Sequence, residues 1–365
     1  MKKNRFNAAA LVAALWLGLA ALAWFGPRKE LSLSERRKLE QFPALTLKDV
    51  ESGRFMSAFE TFTQDQFPLR DGFRRLKAQF TYRVLRQKDN HGIYLVDDQA
   101  AKLEYPLKEA SVTGAVKKFD KIYNLYLKDR CDNIVLSVVP DKGYYLADRV
   151  GAPAMDYQRL FEIMEQIPWA KYADITDCLT AGDYYGTDTH WRQEQLVPAA
   201  AVLADALGAM APEIGDYRME EGTDAFCGVY YGQAALPMDP ERLNLMRSDL
   251  LDQCTVYNYE TGQYGSIYNM EKLSDRDPYD VFLSGPVSLL RIENPAGEPG
   301  KHLVVFRDSF GSSMVPLLVQ GYETVTLVDT RYLPADYLGS YLEFDGQDIL
   351  FLYSTTILNS SAVLR

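Results

Sequence analysis

The sequence predicts an α/β protein with a mostly parallel sheet covered by helices on both faces, plus a β-rich insertion. Three observations predict it. NIVLSVVP is a continuous β-branched run without alternation, the pattern of a strand buried on both sides, and HLVVF, ETVTLVD and QDILFLYS also read as strands. Helical patterns such as YQRLFEIMEQI and WRQEQLVPAAAVLADAL alternate with the strands, and that order builds parallel sheets. Finally, 365 residues, 47% of them hydrophobic and 12% aromatic, suffice for the packed core of one large or two medium domains.

Taken in order, the elements begin with MKKNRF, which carries Lys2, Lys3 and Arg5, followed by a stretch from Asn7 to Gly26 without a charge. Twenty helical residues at about 1.5 Å each match the roughly 30 Å of a bilayer core. Ala21-Leu22-Ala23 resembles a signal-peptide cleavage site, but the apolar stretch is longer than the usual 7 to 15 residues or so, which favours an uncleaved anchor. The expected organisation is a signal anchor over 1–27, a solvated juxtamembrane spacer over 28–54 and one α/β domain over 55–365. The rest of the chain is expected on the extracytoplasmic side of a cell membrane.

Leu69, Phe73, Leu76, Phe80 and Val84 fall on one face of a helix begun by FPLRD. GIYLVDDQAAKLEY reads as a hairpin turning at Asp97-Asp98. Val112, Val116, Phe119, Tyr123 and Tyr126 mark a second amphipathic helix leading into NIVLSVVP. After YQRLFEIMEQI come the strand YADIT and the helix WRQEQLVPAAAVLADAL. The pattern breaks from about 215 to 300, where FCGVYY and CTVYNYE are short β candidates in a stretch rich in Tyr, Gly, Asp and Pro; this is read as an inserted lobe. Alternation resumes with HLVVF, the turn RDSFGSS, the helix MVPLLVQG, ETVTLVD, PADYLGSYL and QDILFLYS.

Without residues 1–26 the chain carries 36 Lys and Arg against 50 Asp and Glu, a net charge of −14, which argues against nucleic acid as a partner. Cys131, Cys178, Cys227 and Cys254 lack the CxxC spacing of a zinc site. Cys131 and Cys178 fall at opposite ends of a parallel sheet, so Cys227 with Cys254 is the expected disulfide in an oxidising compartment.

Functional side chains of a doubly wound sheet gather at the carboxyl ends of its strands. GTDTHW follows YADIT, and RDSF follows HLVVF, at the same end of one sheet. A Ser at a strand-to-helix turn presents its hydroxyl at the sheet edge and needs a base to remove its proton. The chain has three histidines, and His190 alone is placed to be that base, with Asp188 two residues earlier to orient its ring. His91 and His302 read as structural. Plainer roles exist for each residue: Asp188, Asp308 or Ser309 as helix caps, Trp191 as core.

GTDTHW followed far downstream by RDSFGSSMVPLL resembles the SGNH-hydrolase-like alginate O-acetyltransferases of the AlgX and AlgJ group and their relatives, the DHHW proteins. FPLRDGFRRLK, IVLSVVPDK, DPYDVFLSGPVSLLRIEN, TVTLVDTRYL and DILFLYS support the resemblance over most of residues 55 to 355. It implies a three-layer α/β/α SGNH-like core, with Ser309 as nucleophile, His190 as general base and Asp188 as its orienting carboxylate. It also turns Arg331 and Tyr332 toward the cleft, although Arg331 fits a salt bridge to Asp329 equally well. Tyr185 and Trp191 are candidates for the substrate site, with core packing as the alternative. Thr189 stands where the DHHW relatives have a second His, Arg307 where a Gly is common, and Pro286 where they tend to carry Asn.

The expected activity is that of a membrane-anchored O-acetyltransferase. It would move acetyl groups onto hydroxyls of a cell-surface polysaccharide through an acyl-Ser intermediate, with the polysaccharide as acceptor. The resemblance implies a partner membrane acyltransferase as the acyl source, and no cofactor or metal is called for. The same three residues would make a carbohydrate acetylesterase if water replaced the sugar, and a non-catalytic polysaccharide-binding or assembly protein would use the fold alone.

Overall fold

The computed structural model describes residues 2–32 and 34–365, and the chain divides into two compact units. The first comprises the chain up to His91 together with Tyr231–Pro237. It opens with the helix Lys2–Phe25, whose window Ala8–Phe25 has a mean hydropathy of 2.1 and is long and apolar enough to cross a membrane. The stretch expected to be a solvated spacer is tied down: Leu31–Ser32 pairs with Arg37–Lys38, and the Arg37 guanidinium donates to Asp65 Oδ2 at 2.8 Å. Helices follow at Leu47–Glu51, Arg54–Asp65 and Arg70–Gln79, the last running on as a π turn over Phe80–Val84. The helix forms over Arg70–Val84, where its periodicity placed it, and its apolar face is exposed.

The second unit, Gly92–Tyr230 with Met238–Arg365, holds an eight-stranded sheet. In chain order its strands are β1 (Ile134–Val139), β2 (Lys171–Tyr172), β3 (Thr255–Asn258), β4 (Gln263–Gly265), β5 (Leu289–Glu293), β6 (His302–Arg307), β7 (Thr324–Val328) and β8 (Asp348–Ser354). They lie in the order β4-β3-β5-β7-β6-β8-β1-β2. From β7 to β2 all pairings are parallel, as expected. Alternate residues explain the three layers. Val135, Leu303, Val305 and Leu350 face one core with Leu203 of the helix Val197–Leu207, while Leu136, Val304, Phe306 and Phe351 face another with Phe119 of the helix Glu109–Ile122. The hairpin forms with Asp97 at positive φ, the conformation its turn requires.

Three expectations need correction. The 215–300 stretch is not a separate lobe throughout: β3, β4 and β5 extend the main sheet in antiparallel fashion, and only Arg218–Phe226 with Glu241–Arg247 forms a sheet of its own. FCGVYY is not one strand, because its strand ends at Phe226 and Gly228-Val229-Tyr230 turn away to donate backbone N–H groups elsewhere. The Cys227–Cys254 disulfide is not formed. None of the four cysteines is in a disulfide, and the buried Cys254 thiol donates to the Leu250 carbonyl at 3.3 Å.

Candidate active site

Ser309 follows β6 in a turn that its neighbours hold shut. The buried Asp308 accepts the Phe310 N–H at 3.0 Å with Oδ1 and the Ser354 N–H at 2.8 Å with Oδ2, fastening the end of β6 to the end of β8. Gly311 is required here, since a Cβ would lie 2.7 Å from Arg307 Cβ. Arg307 itself is fully buried; it donates to Ser312 Oγ at 3.1 Å and lies 3.7 Å from Asp329, so it braces the turn from inside. Burial pushes the Arg307 pKa down, against the opposing charge of Asp329.

The GTDTHW loop brings His190 to this turn. His190 Nε2 lies 2.8 Å from Ser309 Oγ, and its Nδ1 lies 2.7 Å from Asp188 Oδ1. A carboxylate only accepts, so Nδ1 carries the ring proton and Nε2 is left as the acceptor facing the Ser hydroxyl. Asp188 is fully buried and also accepts the His190 N–H at 3.0 Å and the Val229 N–H at 2.7 Å. The ring stacks on Tyr279 with centroids 4.0 Å apart and planes 11° apart. Among the described residues, the Ser309 backbone N–H donates to no protein acceptor.

The other site candidates fall elsewhere. Trp191 and Tyr185 are fully buried, so they do not present their rings to a substrate. Trp191 donates its indole N–H to Ser313 Oγ at 2.8 Å, coupling the His190 loop to the helix after Ser309, and Tyr185 packs on Phe226. Arg331 makes the salt bridge: it donates to Asp329 through Nε at 2.9 Å and through a terminal nitrogen at 2.6 Å. Burial works against its charge, but Asp329 outweighs it and holds the Arg331 pKa above its ordinary value. Tyr332 is exposed beside it, with the Arg331 guanidinium 5.5 Å from its ring centre.

Several braces were not legible in the sequence. Glu241 accepts the N–H groups of Gly186 (2.8 Å) and Thr187 (2.7 Å) and the Thr187 hydroxyl (2.7 Å), and it pairs with Arg192. Gly228 donates to Thr187 Oγ1 at 2.9 Å so closely that a Cβ would come within 2.3 Å of Asp188 Cβ. Lys142 is buried and donates to the carbonyls of Tyr185 (2.8 Å) and Gly186 (3.2 Å). Burial pushes its pKa down to about 7, against the charges of Asp188 and Glu241. IVLSVVPDK and DPYDVF did contain Lys142 and Tyr279, but nothing local marks a side chain that acts across 40 to 90 residues of chain.

Residues 179–328 match the family described as DHHW protein. The matched segment contains Asp188, His190, Gly228, Glu241, Tyr279 and Ser309. The fold is similar to that of a DHHW family protein from Eubacterium siraeum, at 20% identity and a TM-score of 0.59, over 75% of this chain and 94% of that one. It is also similar to Bacillus cereus PatB1, at 17% identity and a TM-score of 0.60, over 73% of this chain and 96% of that one; PatB1 has also been solved with a sulfonyl adduct. The O-acetyltransferase domain of Pseudomonas putida AlgJ is a looser likeness, at 13% identity and a TM-score of 0.45, over 73% and 92% of the two chains. None of the curated proteins matches. The resemblance to DHHW proteins and the three-layer fold read from the sequence both hold.

Proposed function

We propose that the chain is an O-acetyltransferase that works through an acyl-Ser309 intermediate and acetylates hydroxyls of a cell-surface polysaccharide. The observation that carries this reading is the hydrogen-bonded chain from Asp188 through His190 to Ser309, at 2.7 and 2.8 Å, within the reach a base needs. Ser309 Oγ attacks the acyl carbonyl as its proton passes to His190 Nε2, and the leaving group departs with that proton. A sugar hydroxyl then gives its proton to His190 and takes the acyl group, restoring Ser309. Asp188 holds the ring in the required tautomer and stabilises its cation. The Ser309 N–H serves as one oxyanion donor, a contribution worth about 3 kcal/mol in comparable sites.

The sequence resemblance supports acetyl as the group moved and polysaccharide as the acceptor. It also supports a membrane acyltransferase partner as the acyl source. The helix Lys2–Phe25 supports an anchored chain with its α/β unit outside the cytoplasm. The test uses the full-length chain with an activated acetyl ester, with and without oligosaccharide acceptors, followed by mass spectrometry. Acetyl-Ser309 and acetylated sugar are expected, and a sulfonyl fluoride should block both by modifying Ser309. Acetate release that acceptors do not divert would make the chain an esterase. If neither product forms and Ser309→Ala behaves as wild type, the enzyme reading fails.

A further inference from the structure

The row Leu69, Phe73, Leu76, Phe80 and Val84 has the spacing of a core-facing helix side, yet these residues are 45 to 73% exposed. A row of this length is more apolar surface than a soluble helix ordinarily leaves bare. The polar side of the same segment is as unusual. Residues 69–88 carry seven Lys and Arg against one acid, Asp71, in a chain whose net charge is −11. A basic amphipathic helix is suited to lie in an anionic lipid surface, its apolar row among the acyl chains and its long cationic side chains reaching to the headgroups.

Its position in the first unit points the same way. Arg70 and Arg74 both pair with Glu35, and Arg37 pairs with Asp65, so the helix start is fixed to the segment just after the apolar helix. Glu35 is only ten positions after Phe25. At no more than about 3.5 Å per residue, the start of the helix therefore stays within roughly 35 Å of the end of the apolar helix. Lys77, with the paired Arg37, Arg70 and Arg74 and with Asp65, also lines a cleft of about 850 Å³ beside the helix.

We propose that the helix Arg70–Val84, together with the basic stretch that follows it to Lys88, is a membrane-surface element that lies on the anionic lipid of the bilayer that takes up Lys2–Phe25. This is independent of the acyl-transfer reading. It would fix where the chain rests on its membrane even if Ser309 proved inert.

The test uses the full chain in lipid nanodiscs of phosphatidylcholine alone or with one-third phosphatidylglycerol. Leu76→Cys and Val84→Cys are labelled with a membrane-impermeant maleimide, and peptide mass spectrometry separates them from the four native thiols. Leu125→Cys, an exposed position of the second unit, is the control for folding and access. Labelling at the two helix positions should be roughly tenfold slower in the anionic discs, with the control unchanged. Adding Lys77→Glu, Arg83→Glu and Arg86→Glu should restore the faster rate. In the unaltered chain, trypsin should cut after Arg83 and Arg86 more slowly in anionic discs. Equal labelling and equal cleavage in the two discs overturn the proposal. Protection that requires a second membrane protein or a second copy of this chain, with no dependence on anionic lipid, overturns it as well.

Discussion

Asp188→Asn preserves shape and removes charge, so it tests what the carboxylate does for His190. In the native loop both oxygens accept: Oδ1 takes the ring Nδ1–H and the backbone N–H of His190, and Oδ2 takes the Val229 N–H. An amide has one accepting oxygen. If that oxygen stays on His190, the amide nitrogen faces the Val229 N–H, donor against donor. If the amide flips, the Val229 N–H is satisfied, the His190 N–H loses its acceptor, and the amide donates to Nδ1. That moves the ring proton to Nε2, which then faces Ser309 as a donor and cannot take its proton. Either orientation leaves one buried N–H unpaired, which should cost about 1 to 3 kcal/mol of stability. Neither leaves a negative charge to stabilise the imidazolium. A loss of about 10⁴ in kcat is expected, about 5.5 kcal/mol in the barrier, as in other Ser-His-Asp systems. Hydrolysis of 4-nitrophenyl acetate by the full-length chain reads the rate, and urea unfolding reads the stability. A variant that keeps more than a tenth of the activity with an unchanged urea midpoint would refute the reasoning.

Gly228→Ala places a methyl group against Asp188 Cβ and the Thr187 carbonyl, both at 2.3 Å, so the loop must shift; a displacement near 1 Å should cost about 10² in kcat, read by the same ester assay. Tyr279→Phe keeps the ring stacked on His190 and loses only the contact of Oη with Ser313 Oγ at 2.7 Å, whereas Tyr279→Leu loses the flat face; the Leu variant should be at least about tenfold slower than the Phe variant. Lys142, with a folded pKa near 7 against an ordinary 10.5, binds fewer protons folded than unfolded between those values, so its share of stability rises with pH across that window. The rise is at most about 1.4 kcal/mol per pH unit, and in Lys142→Met the urea midpoint should be correspondingly flatter between pH 7.5 and 9.5. Alkylation of the chain unfolded without reductant should modify all four cysteines; fewer than four would mean that a disulfide forms after all.

The parallel strands were legible because burial on both faces leaves a local mark, an apolar run such as that over Ile134–Val139 with no polar residue facing water. That Asp188, His190 and Ser309 come together was legible because the first two share one loop and Ser309 follows a buried strand into a short turn, although the strand before that loop ends already at Tyr172. What failed was information about partners. The periodicity of Leu69 to Val84 marked an apolar face correctly, but periodicity does not say whether protein or lipid covers it. β3 read as a strand of a lobe because its partner β5 lies 32 to 38 residues on, and β5 in turn joins the main sheet through β7, up to 39 residues further along the chain. FCGVYY has strand composition, but the N–H groups of Gly228 and Val229 are drawn off by Thr187 and Asp188, and that competition has no local signature.

Those same N–H groups explain how a loop can hold an imidazole in place. Between Gly186 and His190 and again at Val229, backbone donors converge on two carboxylates, Glu241 and Asp188, while Arg192 pairs with Glu241. Asp188 is thereby held by dipoles that cannot rotate away, so in the proposed reaction its charge would stay aimed at the ring with little reorganisation. The brace comes from the stretch that interrupts the α/β alternation. Glu241 opens one strand of the small sheet, Gly228 follows the other, and Tyr279 precedes β5. The residues between the His190 loop and Ser309 therefore clamp that loop, and Lys142 and the Ser354 N–H complete the brace from β1's end and β8.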